Sequence, residues 1–156
     1  MSSASHPVVK VLNQRYLYRF LLFLCALTGF GQMPIYKRYY MADIPGFGWL
    51  ADFYVTRYVH YLGATLLLGL LAYALVDYFL RRRIIGPLSW SALARGALLG
   101  VIVLSGLFFV GKNMAGAYYA PGAIIAGNLI HLGAVMGLLV LSLFCLLFKK
   151  GWTTQA

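Results

Sequence analysis

The sequence has 156 residues, of which 62% are hydrophobic and 10% are charged, and it contains no glutamate. This composition lies outside the range of soluble globular domains, so it predicts an integral membrane protein without a separate soluble catalytic domain. The formal net charge is +10. The basic residues lie at the ends of apolar runs and not along one helical face, which argues against nucleic acid as a partner and favours the lipid bilayer.

Four apolar runs predict four transmembrane helices, at about residues 16–33, 53–80, 88–110 and 122–148. A span needs roughly 20 apolar residues, a length that the first run barely reaches and the second exceeds. We expect one domain over residues 1–156, an all-α membrane protein built as a four-transmembrane-helix bundle. The polar stretch Met1–Asn13 is expected to form a mobile tail.

The distribution of lysine and arginine predicts the orientation of the spans. One side of the predicted bundle carries nine of these residues and the other carries four, so the positive-inside rule places both termini in the cytoplasm of a multi-pass protein in a bacterial-type inner (plasma) membrane. Trp152, just past the last span, is expected to anchor the chain at the membrane interface.

Two histidines stand inside predicted spans, where an ionisable side chain is a functional hypothesis by default. His60 follows Phe53 by seven residues and His131 follows Gly122 by nine. Both helices enter from the outer face, so the helical rise puts the two side chains at about 10 Å and about 13 Å depth. The two imidazole rings are therefore expected to face each other at one level.

Two imidazoles at one level predict the axial ligands of a single haem iron, a site that passes electrons and has no open coordination position. Small residues on the same helical faces are expected to make room for the porphyrin: Gly63 and Ala64 beside His60, Gly127 and Ala134 beside His131. Arg57, one turn above His60, is expected to meet the haem propionates. Asn128 and Lys112 are further candidates for that contact.

Other functions remain open at this point. A histidine in a span also hydrogen-bonds to neighbouring helices, so the main alternative is a cofactor-free membrane anchor or structural subunit of a larger complex. A small proton-coupled transporter is disfavoured, since intramembrane carboxylates are nearly absent and no inverted repeat is evident. The sequence also lacks a Cys-x-x-Cys-His motif for covalent haem attachment.

The order of spans and the positions of the histidines resemble the cytochrome b (gamma) subunit family of membrane-bound formate dehydrogenases and nickel-iron hydrogenases. Members of that family have four spans, cytoplasmic termini and usually two haems, one near each face. By this resemblance His60 matches the ligand on the second helix, and His131 matches the first of two ligands on the fourth. Together they would hold the outer haem.

The ligands of the inner haem are not matched. Tyr18 stands at the expected position in the first helix and Cys145 at the second position in the fourth helix, fourteen residues past His131. The resemblance therefore implies one haem b and not two.

The resemblance implies a non-catalytic electron-transfer subunit that connects an outer-face redox partner with the quinone pool. Its partners would be an iron–sulfur or multihaem subunit on the outer face and a catalytic dehydrogenase or reductase subunit, with quinone as a diffusible partner. With only the outer haem, the quinone site is expected in the middle or outer half of the membrane. Tyr118 and Asn113, together with Arg57, are the polar groups at that level.

Overall fold

The computed structural model describes the backbone of residues 7–33, 43–85 and 87–152, and side chains within 14–33, 43–81 and 87–152. The described chain is helical and contains no β-strand. Its four α-helices are α1 (Pro7–Gly31), α2 (Phe53–Ile85), α3 (Trp90–Lys112) and α4 (Pro121–Leu147), with a short 3₁₀ turn at Gly48–Ala51 before α2. The all-α prediction is thereby confirmed.

Helix α1 begins well before the first predicted span. Its backbone is helical from Pro7, so the prediction of a tail extending to Asn13 is wrong for its second half. Proline suits the first turn of a helix because its missing N–H would have no partner there. The expectation rested on polarity, and a polar stretch continues a helix as readily as an apolar one where helix formers are present.

Three of the four helices are long enough and apolar enough to cross a membrane: Phe53–Arg81 of α2, and all of α3 and α4. Within the residues that the structure describes, α1 is not among them, and its first half contains Arg15 and Arg19. Large apolar side chains such as Leu80, Leu104 and Leu147 are exposed along the three helices. Surfaces of this kind are typical of proteins in contact with lipid. The four-span topology and the position of the termini stay predictions.

The helix ends are fixed by local hydrogen bonds. The Asp52 carboxylate accepts from the backbone N–H groups of Tyr54 and Val55 and so caps α2. Ser89 caps α3 in the same way through the N–H of Ala92.

The chain divides into two compact units, Met1–Asp77 and Tyr78–Ala156. In the first unit, α2 presents Thr56, Gly63 and Leu67 as buried residues at intervals of seven and four, which is one helical face. That face meets α1: a side chain at Gly63 would lie 3.2 Å from the Cys25 sulfur. His60 lies on the same face and is half-buried.

The second unit is a closely packed hairpin of α3 and α4. Ala134, Leu138 and Cys145 are buried on one face of α4, and Ala92 and Leu99 on α3. His131 is one turn before Ala134 on the buried face of α4.

The end of α4 returns to the start of α3. Lys149 has a positive φ of 51°, and the N–H of Lys150 donates to the Cys145 carbonyl, which ends the helix. The Gly151 carbonyl then accepts from Arg95 Nη2 at 3.2 Å, and the Arg95 guanidinium lies 3.9 Å from the centre of the Trp152 ring. This contact joins the two ends of the hairpin.

Candidate functional site

His60 contacts the Thr28 hydroxyl of α1. Its Nδ1 lies 3.0 Å from Thr28 Oγ1, and Thr28 is fully buried. Gly29 lies against the same ring, since a Cβ at that position would be 3.3 Å from His60 Cε1. The hydroxyl and the glycine are adjacent in sequence and belong to the last turns of α1.

His131 is held by α3 in the same manner. Its Nδ1 lies 2.8 Å from Ser105 Oγ, and Ser105 is buried. A Cβ at Gly106 would be 4.0 Å from His131 Cε1. Phe109 meets the imidazole edge-on with 5.8 Å between ring centres.

The two hydroxyl groups also lie close to carbonyls of their own helices, which bears on the tautomer of each histidine. Thr28 Oγ1 lies 2.7 Å from the Leu24 carbonyl, and Ser105 Oγ lies 2.7 Å from the Val101 carbonyl. A hydroxyl has one proton, so an oxygen that donates to its helix carbonyl accepts from the histidine, and Nδ1 then carries the hydrogen. In the neutral imidazole the lone pair then resides on Nε2, the nitrogen that would bind a metal.

We call each arrangement of a hydroxyl residue, its following glycine and the histidine of the next helix a histidine frame. The first frame comprises Thr28, Gly29 and His60, and the second comprises Ser105, Gly106 and His131. Both histidines were predicted from the sequence, but neither hydroxyl residue was. Only residues on the same helix were considered as neighbours of each histidine. The signal that could have revealed them is the repeated hydroxyl–glycine pair in the helix before each histidine.

Arg57 is one turn before His60 on α2 and is half-buried. Its Nε and Nη2 donate to the Tyr61 hydroxyl at 3.3 and 3.2 Å. The guanidinium also lies over the rings of Phe53 and Tyr61, 5.7 and 5.4 Å from their centres. Its described partners are thus aromatic, and the predicted contact with propionates stays a prediction.

The small residues chosen as space for a porphyrin serve contacts inside each unit. Gly63 admits the Cys25 side chain, and Ala134 is buried in the α3–α4 hairpin. A Cβ at Gly127 would lie 2.9 Å from Phe108 Cε1, so this glycine accommodates a phenylalanine ring of α3. Asn128 is exposed.

The residues named for a quinone lie after α3. The side-chain amide of Asn113 donates to the Phe109 carbonyl at 2.8 Å and caps the end of α3. Tyr118 is 91% exposed in the connection to α4. The Lys112 ammonium lies 5.5 Å from the centre of the Phe109 ring. A quinone contact at these residues stays a prediction.

The positions of the unmatched inner ligands fall in different units. Tyr18 is half-buried in α1, and Cys145 is a buried free thiol in α4. Among the residues with described side chains there is no cluster of three or more His, Cys, Asp or Glu that could hold a metal ion. Such a cluster is the requirement of a zinc-type site, whereas haem iron takes only its axial ligands from the protein.

The chemistry of the two histidines fits axial ligation. Each side chain is half-buried, and each has Nδ1 within hydrogen-bonding distance of a hydroxyl, an arrangement that leaves the lone pair on Nε2 when Nδ1 is the donor. A hydrogen bond on the distal nitrogen is the usual support of a metal-bound histidine. His60 belongs to the first unit and His131 to the second, so their pairing on one iron stays a prediction. No known protein family, curated protein or solved structure matches the chain.

Proposed function

We propose that this chain is a membrane electron-transfer subunit in which His60 and His131 are the axial ligands of one haem b. The haem supplies one-electron transfer when it is bound between two imidazoles. The chain would exchange electrons with an iron–sulfur or multihaem subunit of a dehydrogenase or reductase complex on the outer face, and with the quinone pool. A bacterial-type inner membrane is the expected location.

The observation that carries the proposal is the pair of histidine frames. In each frame Nδ1 lies within hydrogen-bonding distance of a hydroxyl, which leaves Nε2 for a metal when Nδ1 is the donor. The two frames are built alike in helices of different units, and this common arrangement supports ligation. The resemblance to the cytochrome b gamma subunits, in which the corresponding two histidines hold the outer haem, supports the same assignment.

The chain's own residues prepare the ligands before any haem is present. Thr28 and Ser105 orient the rings, and their burial keeps water from competing for Nδ1. Arg57 contributes a positive charge one turn from His60, which would favour the anionic propionates of a haem near the outer face.

A specific observation also supports the cofactor-free anchor. Both histidines already make interhelical hydrogen bonds of the kind that stabilise membrane helices. Under this alternative the Nδ1 bonds would be the whole function of the two rings, and the purified chain would bind no haem.

The decisive experiment is a reduced-minus-oxidised absorption spectrum of the full chain purified from a haem-replete membrane. We expect the bands of a low-spin b haem and a pyridine haemochrome ratio of one haem per chain. His60→Ala and His131→Ala should each abolish the low-spin spectrum. His6→Ala is the matched control, because it removes the third histidine, which lies outside the predicted spans, and should leave the spectrum unchanged.

Replacement by another ligand separates ligation from packing. His60→Met and His131→Met should retain haem with a higher midpoint potential, since methionine favours ferrous iron. A colourless wild-type chain from haem-replete membranes would overturn the proposal and favour the anchor. A ratio of two haems would show that Tyr18 and Cys145 do not mark a missing site.

The single outer haem has a consequence for proton uptake. Reduction of a quinone to a quinol takes two electrons and two protons, and we expect the protons to enter from the outer side. Turnover in proteoliposomes should therefore move little charge across the membrane. Clear electrogenic turnover would contradict this part of the proposal.

A further inference from the structure

In both histidine frames the described side-chain partner of Nδ1 is a neutral hydroxyl and not a carboxylate. The distances are 3.0 Å in the Thr28–His60 pair and 2.8 Å in the Ser105–His131 pair. The three acidic side chains of the chain are Asp43, Asp52 and Asp77, so the second unit has none. The described hydrogen bond at Nδ1 of each ring therefore involves an uncharged group.

Each hydroxyl also lies close to carbonyls of its own helix. Thr28 Oγ1 lies within hydrogen-bonding distance of the carbonyls of Leu24 and Cys25, at 2.7 and 3.3 Å. Ser105 Oγ lies 2.7 and 3.1 Å from the carbonyls of Val101 and Ile102. When the hydroxyl proton is directed at the helix backbone, the oxygen presents a lone pair to the histidine. A hydroxyl that donates in this way is also a better acceptor, since consecutive hydrogen bonds polarise one another.

We propose that Thr28 and Ser105 are positioning residues that set the electron density of the two imidazole ligands and thereby the midpoint potential of the haem. This inference rests on the proposed function. Accepting from Nδ1–H makes an imidazole a stronger donor through Nε2, which stabilises ferric iron and lowers the potential. A carboxylate in the same position would lower the midpoint potential further. A methyl group accepts no hydrogen bond from Nδ1, so it would not lower the potential.

The test uses variants that retain side-chain shape. Thr28→Val and Ser105→Ala remove one hydroxyl each, and Thr28→Ser and Ser105→Thr preserve it. Thr56→Val is the matched control, since Thr56 is also fully buried on α2 and its hydroxyl bonds the carbonyls of its own helix at Asp52 and Phe53. Redox titration of each full-length purified chain measures the haem potential.

We expect the midpoint potential to rise in Thr28→Val and in Ser105→Ala, to rise further in the double variant, and to stay at the wild-type value in Thr28→Ser, Ser105→Thr and Thr56→Val.

A second measurement reports directly on which nitrogen of each imidazole ring is protonated. Solid-state ¹⁵N NMR of histidine-labelled chain without haem should show Nδ1–H on His60 and His131. Thr28→Val should mix the tautomers of His60 alone, and Ser105→Ala those of His131 alone.

The outcomes distinguish this inference from the proposed function. A haem-containing wild type whose potential is unmoved by Thr28→Val and Ser105→Ala would overturn the inference and leave the proposed function intact. A wild type that binds no haem would overturn both, whatever the tautomers. A potential that moves equally in Thr56→Val would show a general packing effect and would also overturn the inference.

Discussion

The guanidinium of Arg95, near the start of α3, stacks on the ring of Trp152 beyond the end of α4, with 3.9 Å between Arg95 Cζ and the ring centre. Arg95 is only 7% exposed, and its described hydrogen bonds go to Ser91 and to the Gly151 carbonyl. The sequence of the second unit contains no acidic side chain to balance this charge. The stack on Trp152 therefore substitutes for an ion pair.

Trp152→Ala is expected to destabilise the second unit. A cation–π contact with a partly desolvated arginine contributes about 0.5–2 kcal/mol, and the variant also exposes the charge. Trp152→Phe should recover part of the loss. Denaturant unfolding of the chain in detergent, followed by circular dichroism, measures the change.

Trp90→Ala serves as its control, because Trp90 belongs to the same unit but is 87% exposed. Equal destabilisation by both variants would contradict a specific role for the Arg95–Trp152 contact.

Gly127→Ala is expected to destabilise the α3–α4 hairpin by about 1–3 kcal/mol, as overpacking does. The added Cβ would lie 2.9 Å from Phe108 Cε1, which forces the ring to shift. Gly133→Ala on the same helix meets no atom within 4 Å, and should stabilise the helix by roughly 1 kcal/mol through better helix propensity. The double variant Gly127→Ala/Phe108→Leu should recover stability, and an additive loss would argue against this contact.

The glycines of the two histidine frames are expected to tolerate substitution differently. A Cβ at Gly29 would be 3.3 Å from His60 Cε1, tight enough that the ring must move by a few tenths of an ångström. A Cβ at Gly106 would be at 4.0 Å from His131 Cε1, an ordinary contact. Gly29→Ala should therefore perturb the His60 ¹⁵N resonances, whereas Gly106→Ala should leave those of His131 in place. Both variants gain the same helix propensity, so the comparison isolates the ring contact.

Arg57→Gln is expected to lower the haem midpoint potential, because loss of a nearby positive charge favours the ferric state. Arg57→Lys preserves the charge and should retain most of the potential, although it loses the planar contact with Tyr61. Arg19→Gln, at an exposed position in α1, is the control and should leave the potential unchanged. Redox titration in low salt measures the haem midpoint potentials of the wild type and the three variants. Equal shifts in both glutamine variants would point to net charge and not to proximity.

Much of the fold could be predicted from the sequence, because long apolar runs report directly on helices in lipid. Helices α2, α3 and α4 begin and end within a few residues of the predicted spans, apart from the C-terminal end of α2, which runs on to Ile85. Helix α1 begins at Pro7, nine residues before the predicted start of the first span. Polarity marks where lipid contact ends, and a helix continues past that point wherever its backbone hydrogen bonds can still form.

Less of the candidate site could be predicted. His60 and His131 stand out in sequence as ionisable groups in apolar runs, but the partners of their rings lie 32 and 26 residues away in the chain. The contact of the Trp152 ring with Arg95 and that of Gly127 with Phe108 join residues that are far apart in sequence, so they could not be predicted from it. The interfacial position of Trp152 and the haem contact of Gly127 stay predictions.

The sequence by itself determined the helical class, the approximate spans and the two histidines, since each follows from local composition along one segment. Only the tertiary structure decided that Thr28 meets His60 and that Ser105 meets His131, and therefore that Nδ1 of each ring lies beside a hydroxyl. The physical reason is that these contacts depend on the register between neighbouring helices. Register is set by the packing of whole faces, and no single stretch of the chain encodes it.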